Sequence, residues 1–181
     1  SPGSPGKVSR INAGYYSLNV NSGGVLAARY GIFEYMNLNG INLLPGSIVD
    51  PANSFNGCTF QNGVAGGTLM TINNSQVMTI RNTLFPVNNW TSISNVTKTL
   101  NSGHVYFVDF SGGYSGETFD ADIFNLIDWV PALTATATVT PSIICAGSNS
   151  QANIIRSGGQ PPFTYLWSPS VGLSNSGIIN P

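Results

Sequence analysis

The chain has 181 residues and a formal net charge of −1, and only 7% of its residues are charged. It has no basic cluster of the kind that binds nucleic acid, and no apolar run of the roughly 18–20 residues that span a bilayer, so we expect neither partner. Hydrophobic residues make up 41%, too many for a disordered chain. Polarity comes from 21 Asn, 21 Ser and 14 Thr, which together with 21 Gly favour short strands joined by tight turns.

The N-terminal segment, residues 1–10, has the sequence SPGSPGKVSR. It lacks the apolar core of a signal peptide, and we interpret it as a linker that leads into a domain. That domain is predicted to cover residues 11–129, and a second linker and module are predicted for residues 130–181.

An internal repeat of 25 residues runs through residues 11–129. Within each repeat the apolar residues alternate with period two, which indicates strands rather than helices. One column of residues at this spacing is Tyr35, Phe60, Phe85 and Phe110. Three further columns are Tyr30, Phe55, Ile80 and Val105; Phe33, Cys58, Thr83 and Val108; and Leu18, Leu43, Thr68, Ile93 and Thr118.

These columns predict an all-β fold, a parallel β-helix of about four to five coils in which each repeat is one coil. Successive coils would stack about 4.8 Å apart, and equivalent aromatic side chains would form a ladder in the core. An antiparallel sandwich would also alternate, but it would not place four aromatic residues in register. The segment Ser115–Trp129 breaks the period and is predicted to cap the last coil, which protects its open edge.

The second module is predicted from the string GGQPPFTYLWSP, in which Phe163, Tyr165 and Trp167 alternate on one strand face. Strands and turns of this kind are typical of an immunoglobulin-like β-sandwich, with Trp167 in its core. The later strands of such a module are missing, so we expect the chain to be a fragment of a longer protein.

The SGGQPPFTYLWSP segment, with Cys145–Ser148 and Pro169–Ser174, resembles the SprB-type and PKD-like repeats of very large surface proteins. These proteins occur in gliding bacteria that use type IX secretion, and the resemblance covers residues 135–181. The preceding repeats are similar to the Asn/Gly-rich right-handed β-helices found beside such modules. The resemblance implies an exported adhesin or scaffold at the cell surface. Its implied partners are other surface proteins or extracellular glycans, and the secretion machinery during export.

Parallel β-helices often host polysaccharide lyases and glycosidases, whose chemistry needs carboxylates that converge on one face. Glu34 and Asp109 share one coil phase but lie three coils apart, about 14 Å, which is too far for a retaining pair. Asp50 lies at another phase, and His104 is predicted to be an exposed turn residue without a carboxylate partner. We therefore predict a non-enzymatic structural protein, a rigid spacer or display domain.

Two binding sites are considered beside that structural role. Trp90, in PVNNWTS, and Tyr114 are the candidates for stacking on a sugar ring, so a glycan-binding module is the alternative function. A β-helix polysaccharide-active enzyme is a less favoured alternative. No cofactor is predicted, although Asp120 and Asp122 could supply two of the oxygens that calcium needs. Cys58 and Cys145 are interpreted as two buried apolar residues, with a disulfide between them as the alternative.

Overall fold

The structure is a computed structural model that describes residues 4–86 and 94–181. It divides into two compact units, Ser1–Val130 and Pro131–Pro181. Within the described residues, no helix has the length and apolar character required to cross a membrane.

The first unit is a β-solenoid of short strands. In chain order they are β1 (Lys7–Val8), β2 (Tyr16–Val20), β3 (Val25–Arg29), β4 (Ile32–Glu34), β5 (Met36–Leu43), β6 (Ile48–Asn56), β7 (Thr59–Gln61), β8 (Met70–Ile72), β9 (Met78–Arg81), β10 (Val96–Lys98), β11 (Val105–Val108), β12 (Asp120–Asp122) and β13 (Ile127–Val130). The 3₁₀ turn Glu117–Phe119 precedes β12.

The strands form three faces, and every strand pair described in this unit is parallel. The first face contains β1, β4 and β7, and the second face is a five-stranded sheet of β2, β5, β8, β10 and β12. The third face consists of two ladders, β3–β6 and β9–β11–β13. Each coil runs from the second face through the third to the first. The prediction of a β-solenoid with about five coils is therefore confirmed.

The exact 25-residue columns are wrong in several places, because the coils differ in length. On the first face Ile32 pairs with Thr59, Thr59 with Leu84, and Leu84 with Ser111, in steps of 27, 25 and 27 residues. The phenyl column therefore begins at Phe33, not at Tyr35. Phe110, one residue before Ser111, lies level with Thr83 rather than with Phe85.

The second and third faces show the same variation. Strand pairing links Leu18 to Ile41, Met70, Val96 and Asp120 in steps of 23, 29, 26 and 24 residues. The predicted column from Leu18 to Leu43 is therefore wrong by two residues. On the third face Phe107 pairs with Ile80, and Val105 pairs with Met78, so the predicted alignment of Ile80 with Val105 is also two residues out.

The corner between the third and first faces repeats an unusual backbone conformation. Tyr30, Gly57, Asn82 and Asp109 have φ angles of +53°, +70°, +55° and +57°. Each donates its amide hydrogen to a carbonyl one coil further along, as from Asn82 to Val108 at 2.9 Å. Gly, Asn and Asp tolerate this left-handed region best, which accounts for three of the four residue types.

Stacked phenyl rings form the centre of the core. Phe33 and Phe60 stack with centroids 5.6 Å apart, and Phe60 and Phe85 with centroids 5.3 Å apart. Near the last coil Phe107 stacks on Trp129 at 4.3 Å. The predicted aromatic ladder is present, although its members are not the predicted set.

A buried lysine interrupts the apolar column of the second face. Lys98 is fully buried and follows Leu43 and Ile72 in the inward column. Its ammonium donates to the carbonyl oxygens of Ile72 at 3.4 Å and Asn74 at 3.1 Å. Burial lowers the pKa of the Lys98 ammonium, and the Asp122 carboxylate opposes that shift. The lysine thus caps two carbonyl groups where the chain leaves the sheet.

We expect Lys98→Met to lower the free energy of unfolding by about 1–3 kcal/mol, because two buried carbonyl groups would lose their donor. The measurement is urea denaturation at neutral pH. Thr97→Met, on the outward side of the same strand, is the control and should change stability by less than about 0.5 kcal/mol. A more stable Lys98→Met protein would show that the lysine is tolerated rather than required.

The segment Ser115–Trp129 does not form a separate cap, contrary to the prediction. Asp120–Asp122 pairs with β10, and Ile127–Val130 pairs with β11, so the segment forms the last coil. The prediction was wrong because the acidic residues of this segment conceal the apolar pattern of a coil. Asp120 and Asp122 stand at inward positions that an earlier coil fills with Met70 and Ile72.

The second unit contains one antiparallel pair, β14 (Thr134–Thr140) with β15 (Gln151–Ser157). Phe163, Tyr165 and Trp167 are half-buried, while Thr164 and Leu166 are exposed, so the predicted alternation is present without a paired strand. The Trp167 indole donates to the Ile178 carbonyl at 2.9 Å. The immunoglobulin-like sandwich is not shown and stays a prediction.

The two cysteines are free thiols in different environments. Cys58 is buried in the solenoid, where its sulfur accepts a hydrogen bond from the Gly31 amide at 3.4 Å, and burial raises its pKa. The interpretation as a buried apolar residue is confirmed for Cys58. It is wrong for Cys145, which is exposed.

Candidate functional site

Of the two predicted sugar-stacking residues, Trp90 and Tyr114, the structure describes Tyr114. Trp90 lies outside the described residues. Tyr114 is half-buried in the chain segment before the last coil, and its ring packs edge-on against Phe119 at 5.3 Å. Its backbone carbonyl accepts a hydrogen bond from the Asn95 side chain at 2.7 Å.

The predicted calcium ligands, Asp120 and Asp122, lie on the inward side of β12. The Asp122 carboxylate accepts hydrogen bonds from the amides of Leu126 and of Ile127, the latter at 2.6 Å. It therefore closes the turn that leads into β13. Residues 4–86 and 94–181 contain no group of three or more His, Cys, Asp or Glu side chains placed to hold a metal ion.

Asp120 is held by the last tryptophan of the solenoid. Its carboxylate accepts a hydrogen bond from the Trp129 indole at 2.7 Å. Burial raises the pKa of Asp120 to about 6; the Trp129 hydrogen bond opposes the shift, and the negative charges of Glu117 and Asp122 add to it. The carboxylate thus titrates in the mildly acidic range.

The raised pKa of Asp120 makes stability depend on pH. Between the ordinary value of 3.8 and about 6, the folded chain binds more protons at this site than the unfolded chain. The free energy of unfolding therefore falls as pH rises through that window. We expect Asp120→Asn to be more stable than the parent at about pH 8 and equal to it at about pH 4 in urea denaturation.

Asp50 offers a control of opposite sign. Hydrogen bonds from the Asn53 side chain and the Ala52 amide hold the pKa of Asp50 below its usual range. Its charged form stabilises the fold above the unfolded pKa, and that contribution is lost on acidification. Asp50→Asn should therefore be less stable than the parent at about pH 8. If both Asp50→Asn and Asp120→Asn were more stable than the parent, the change in net charge alone would explain the effect.

Glu34 and Asp109 do not share a coil position, so that part of the sequence argument is wrong. Glu34 pairs with Gln61 in the first face, whereas Asp109 lies at the corner column that contains Asn82. The Glu34 carboxylate contacts Lys7 at 3.0 Å, Ser9 at 2.9 Å and Gln61 at 2.9 Å. Burial raises its pKa, but these hydrogen bonds outweigh it and hold the pKa below the usual range.

The prediction that His104 lacks a carboxylate partner is also wrong. Its Nε2 lies 2.7 Å from Oδ2 of Asp128, and its ring stacks on Tyr106 with centroids 4.5 Å apart. The two residues are 24 positions apart, close to one coil, and that spacing was the signal available in the sequence. This pair of side chains is partly exposed on the third face, beside the last coil.

A pocket near the N-terminus was missed by the sequence analysis. It has a volume of about 280 Å³ and is lined by residues 9–12 and 14–16. The Arg10 guanidinium lies 3.8 Å from the ring centroid of Tyr35 and 5.7 Å from that of Tyr15. Arg10 and Tyr35 are 25 positions apart, so the average repeat length could have suggested that they meet on neighbouring coils.

No protein-family model, no curated protein and no solved structure matches the chain. The candidate sites therefore rest on the chain's own geometry.

Proposed function

We propose that this chain is a non-enzymatic structural part of a secreted cell-surface protein, in which the solenoid is a rigid spacer or display domain. The observation that carries the proposal is the continuous core. Parallel ladders and buried side chains run through all five coils of the second face. In a solenoid each coil is stabilised by its neighbours, so such a stack resists deformation along its length.

The surface composition supports the same role. With 7% charged residues and abundant amides and hydroxyls, the chain has polar groups without a strong electrostatic field. Asn19 and Asn42, on adjacent strands of the second face, bond through their side-chain amides at 3.0 Å. This bond joins two neighbouring coils on the outside of the stack.

The second unit fits this proposal as a repeat that follows the spacer. Its antiparallel pair β14–β15 is the kind of unit from which an immunoglobulin-like sandwich is built. Together with the resemblance of residues 135–181 to SprB-type repeats, it supports an adhesin of the type IX secretion route. Location at the surface of a gliding bacterium is part of the proposal.

Single-molecule force spectroscopy on the full chain, tethered at its two ends, tests the spacer role. We expect the solenoid to unravel coil by coil, with each coil releasing about 9 nm of chain. Phe60→Ala should lower the force of unravelling, whereas Thr97→Met should leave it unchanged. Extension without resolved force steps would contradict the rigid-spacer role. Cleavage of a polysaccharide by the purified chain would contradict its non-enzymatic character.

A further inference from the structure

The pocket beside Arg10 has the features of a site for an anionic group. Arg10 takes part in neither of the ion pairs found within residues 4–86 and 94–181, which are Lys7–Glu34 and His104–Asp128. The nearby Glu34 carboxylate is already occupied by Lys7, Ser9 and Gln61. The guanidinium therefore lines a pocket without a carboxylate partner from the described chain.

The positive charge near Arg10 is not neutralised by its sequence neighbours. Residues 1–33 contain Lys7, Arg10 and Arg29 and no acidic residue. Lys7 pairs with Glu34 and does not line the pocket. Arg10 lines the pocket and remains available to a ligand. A negatively charged ligand would gain a partner there without displacing an existing ion pair.

The Arg10 side chain is held in place before any ligand arrives. The Tyr35 ring lies 3.8 Å from its guanidinium carbon, and Nη1 donates to the Ala13 carbonyl at 3.1 Å. A guanidinium has five N–H donors, so one bond to Ala13 leaves others for a ligand. Stacking on a ring engages the face of the guanidinium and leaves its edge for a bidentate carboxylate.

The rest of the pocket suits a sugar ring. Tyr15 lines it and is 46% exposed, so its ring can pack against the apolar face of a pyranose. Asn12 also lines the pocket and supplies a side-chain amide for hydroxyls, and the Ser9 hydroxyl, which donates to Glu34, can still accept a hydrogen bond from one. The volume of about 280 Å³ lies just below the range of about 300–1,000 Å³ for small-molecule pockets, which fits one ring rather than an extended chain.

From these contacts we infer that the pocket lined by residues 9–12 and 14–16 binds an acidic sugar residue, with Arg10 holding its carboxylate and Tyr15 packing on its ring. This inference goes beyond the structural role proposed above, and neither depends on the other. A spacer that also holds an acidic polysaccharide would attach to a glycan surface near the start of its solenoid.

The experiment titrates the full chain with a trigalacturonate probe and follows binding by calorimetry. We expect saturable binding that is about tenfold weaker, or more, for the methyl ester of the same trisaccharide, because the ester removes the charge and keeps the ring. Acetate separates the two parts of the site, since it carries the carboxylate without the ring and should bind more weakly than trigalacturonate.

Arg10→Gln should weaken binding of trigalacturonate about tenfold or more. The matched control is Arg29→Gln, because Arg29 also contacts a tyrosine ring, that of Tyr30 at 5.1 Å, but does not line the pocket. Tyr15→Ala should also weaken binding, and Tyr15→Phe should retain it. Circular dichroism and the urea midpoint verify that each variant is folded.

Several results would overturn the inference. Equal losses in Arg10→Gln and Arg29→Gln would mean that general positive charge attracts the probe. Equal affinity for the acid and its ester would remove the carboxylate from recognition, and equal affinity for acetate would remove the sugar ring. Absence of saturable binding to the folded parent protein would reject the site. None of these results bears on the force measurement that tests the spacer role.

Discussion

Replacing Phe60 by alanine is expected to lower the free energy of unfolding by about 3–5 kcal/mol. Phe60 is fully buried and contacts three other phenyl rings, with centroid distances of 5.6 Å to Phe33, 5.8 Å to Phe55 and 5.3 Å to Phe85. Removing it leaves a cavity between adjacent coils that neighbouring backbone cannot fill, because ladder hydrogen bonds fix the coil spacing.

Two further variants make the Phe60 measurement specific. Phe60→Leu keeps most of the volume and should cost less than about 1.5 kcal/mol. Phe124→Ala removes a phenyl group that is 41% exposed in the last coil, and it should cost less than about 1 kcal/mol. Equal losses for Phe60→Ala and Phe124→Ala in urea denaturation would show that the phenyl column is not the centre of the core.

Substitution of Gly40 by alanine is expected to cost about 3 kcal/mol or more. A Cβ atom at Gly40 would lie 2.1 Å from the carbonyl carbon and oxygen of Leu69, so β5 and β8 would have to separate. Gly40 also has φ of +61°, a conformation that alanine adopts at a cost of about 1–2 kcal/mol. Steric overlap and backbone strain therefore add at one position.

Gly66 separates those two effects. Its φ is +74°, but no atom lies within 4 Å of the Cβ position, so Gly66→Ala should cost only the conformational term of about 1–2 kcal/mol. Thermal unfolding of both variants measures the difference. Similar losses at Gly40 and Gly66 would show that the close approach of β5 to Leu69 relaxes easily.

Periodicity alone predicted the solenoid but not the register of its coils. A slip of two residues keeps every side chain on the same side of a strand, so alternation cannot distinguish Phe33 from Tyr35. Differences in the length of the connecting segments decide between them: residues 35–40 lie between the paired positions Glu34 and Ile41, whereas residues 62–69 lie between Gln61 and Met70. Such turn lengths depend on the three-dimensional path of the chain.

The side-chain sites were partly predictable from coil spacing. Residues one coil apart meet across neighbouring strands, as Ser9 and Glu34 do at 25 positions and His104 and Asp128 at 24. Lys98 could also have been assigned inward, because it alternates with Thr97 and shares the side of Val96. The pattern could not predict the hydrogen-bond partners of the buried Lys98 ammonium. The carbonyl groups of Ile72 and Asn74 become available to it only where the chain turns.

The corner between the first and second faces has a practical consequence for protein engineering. It accommodates residues 35–40 between Glu34 and Ile41 and residues 62–69 between Gln61 and Met70, while the strands on either side stay in register. Ala65 and Gly66 lie at the exposed tip of the longer turn. A peptide epitope grafted between them should be carried outside the stack with the coil below and the coil above intact, which makes this edge a scaffold for antigen presentation.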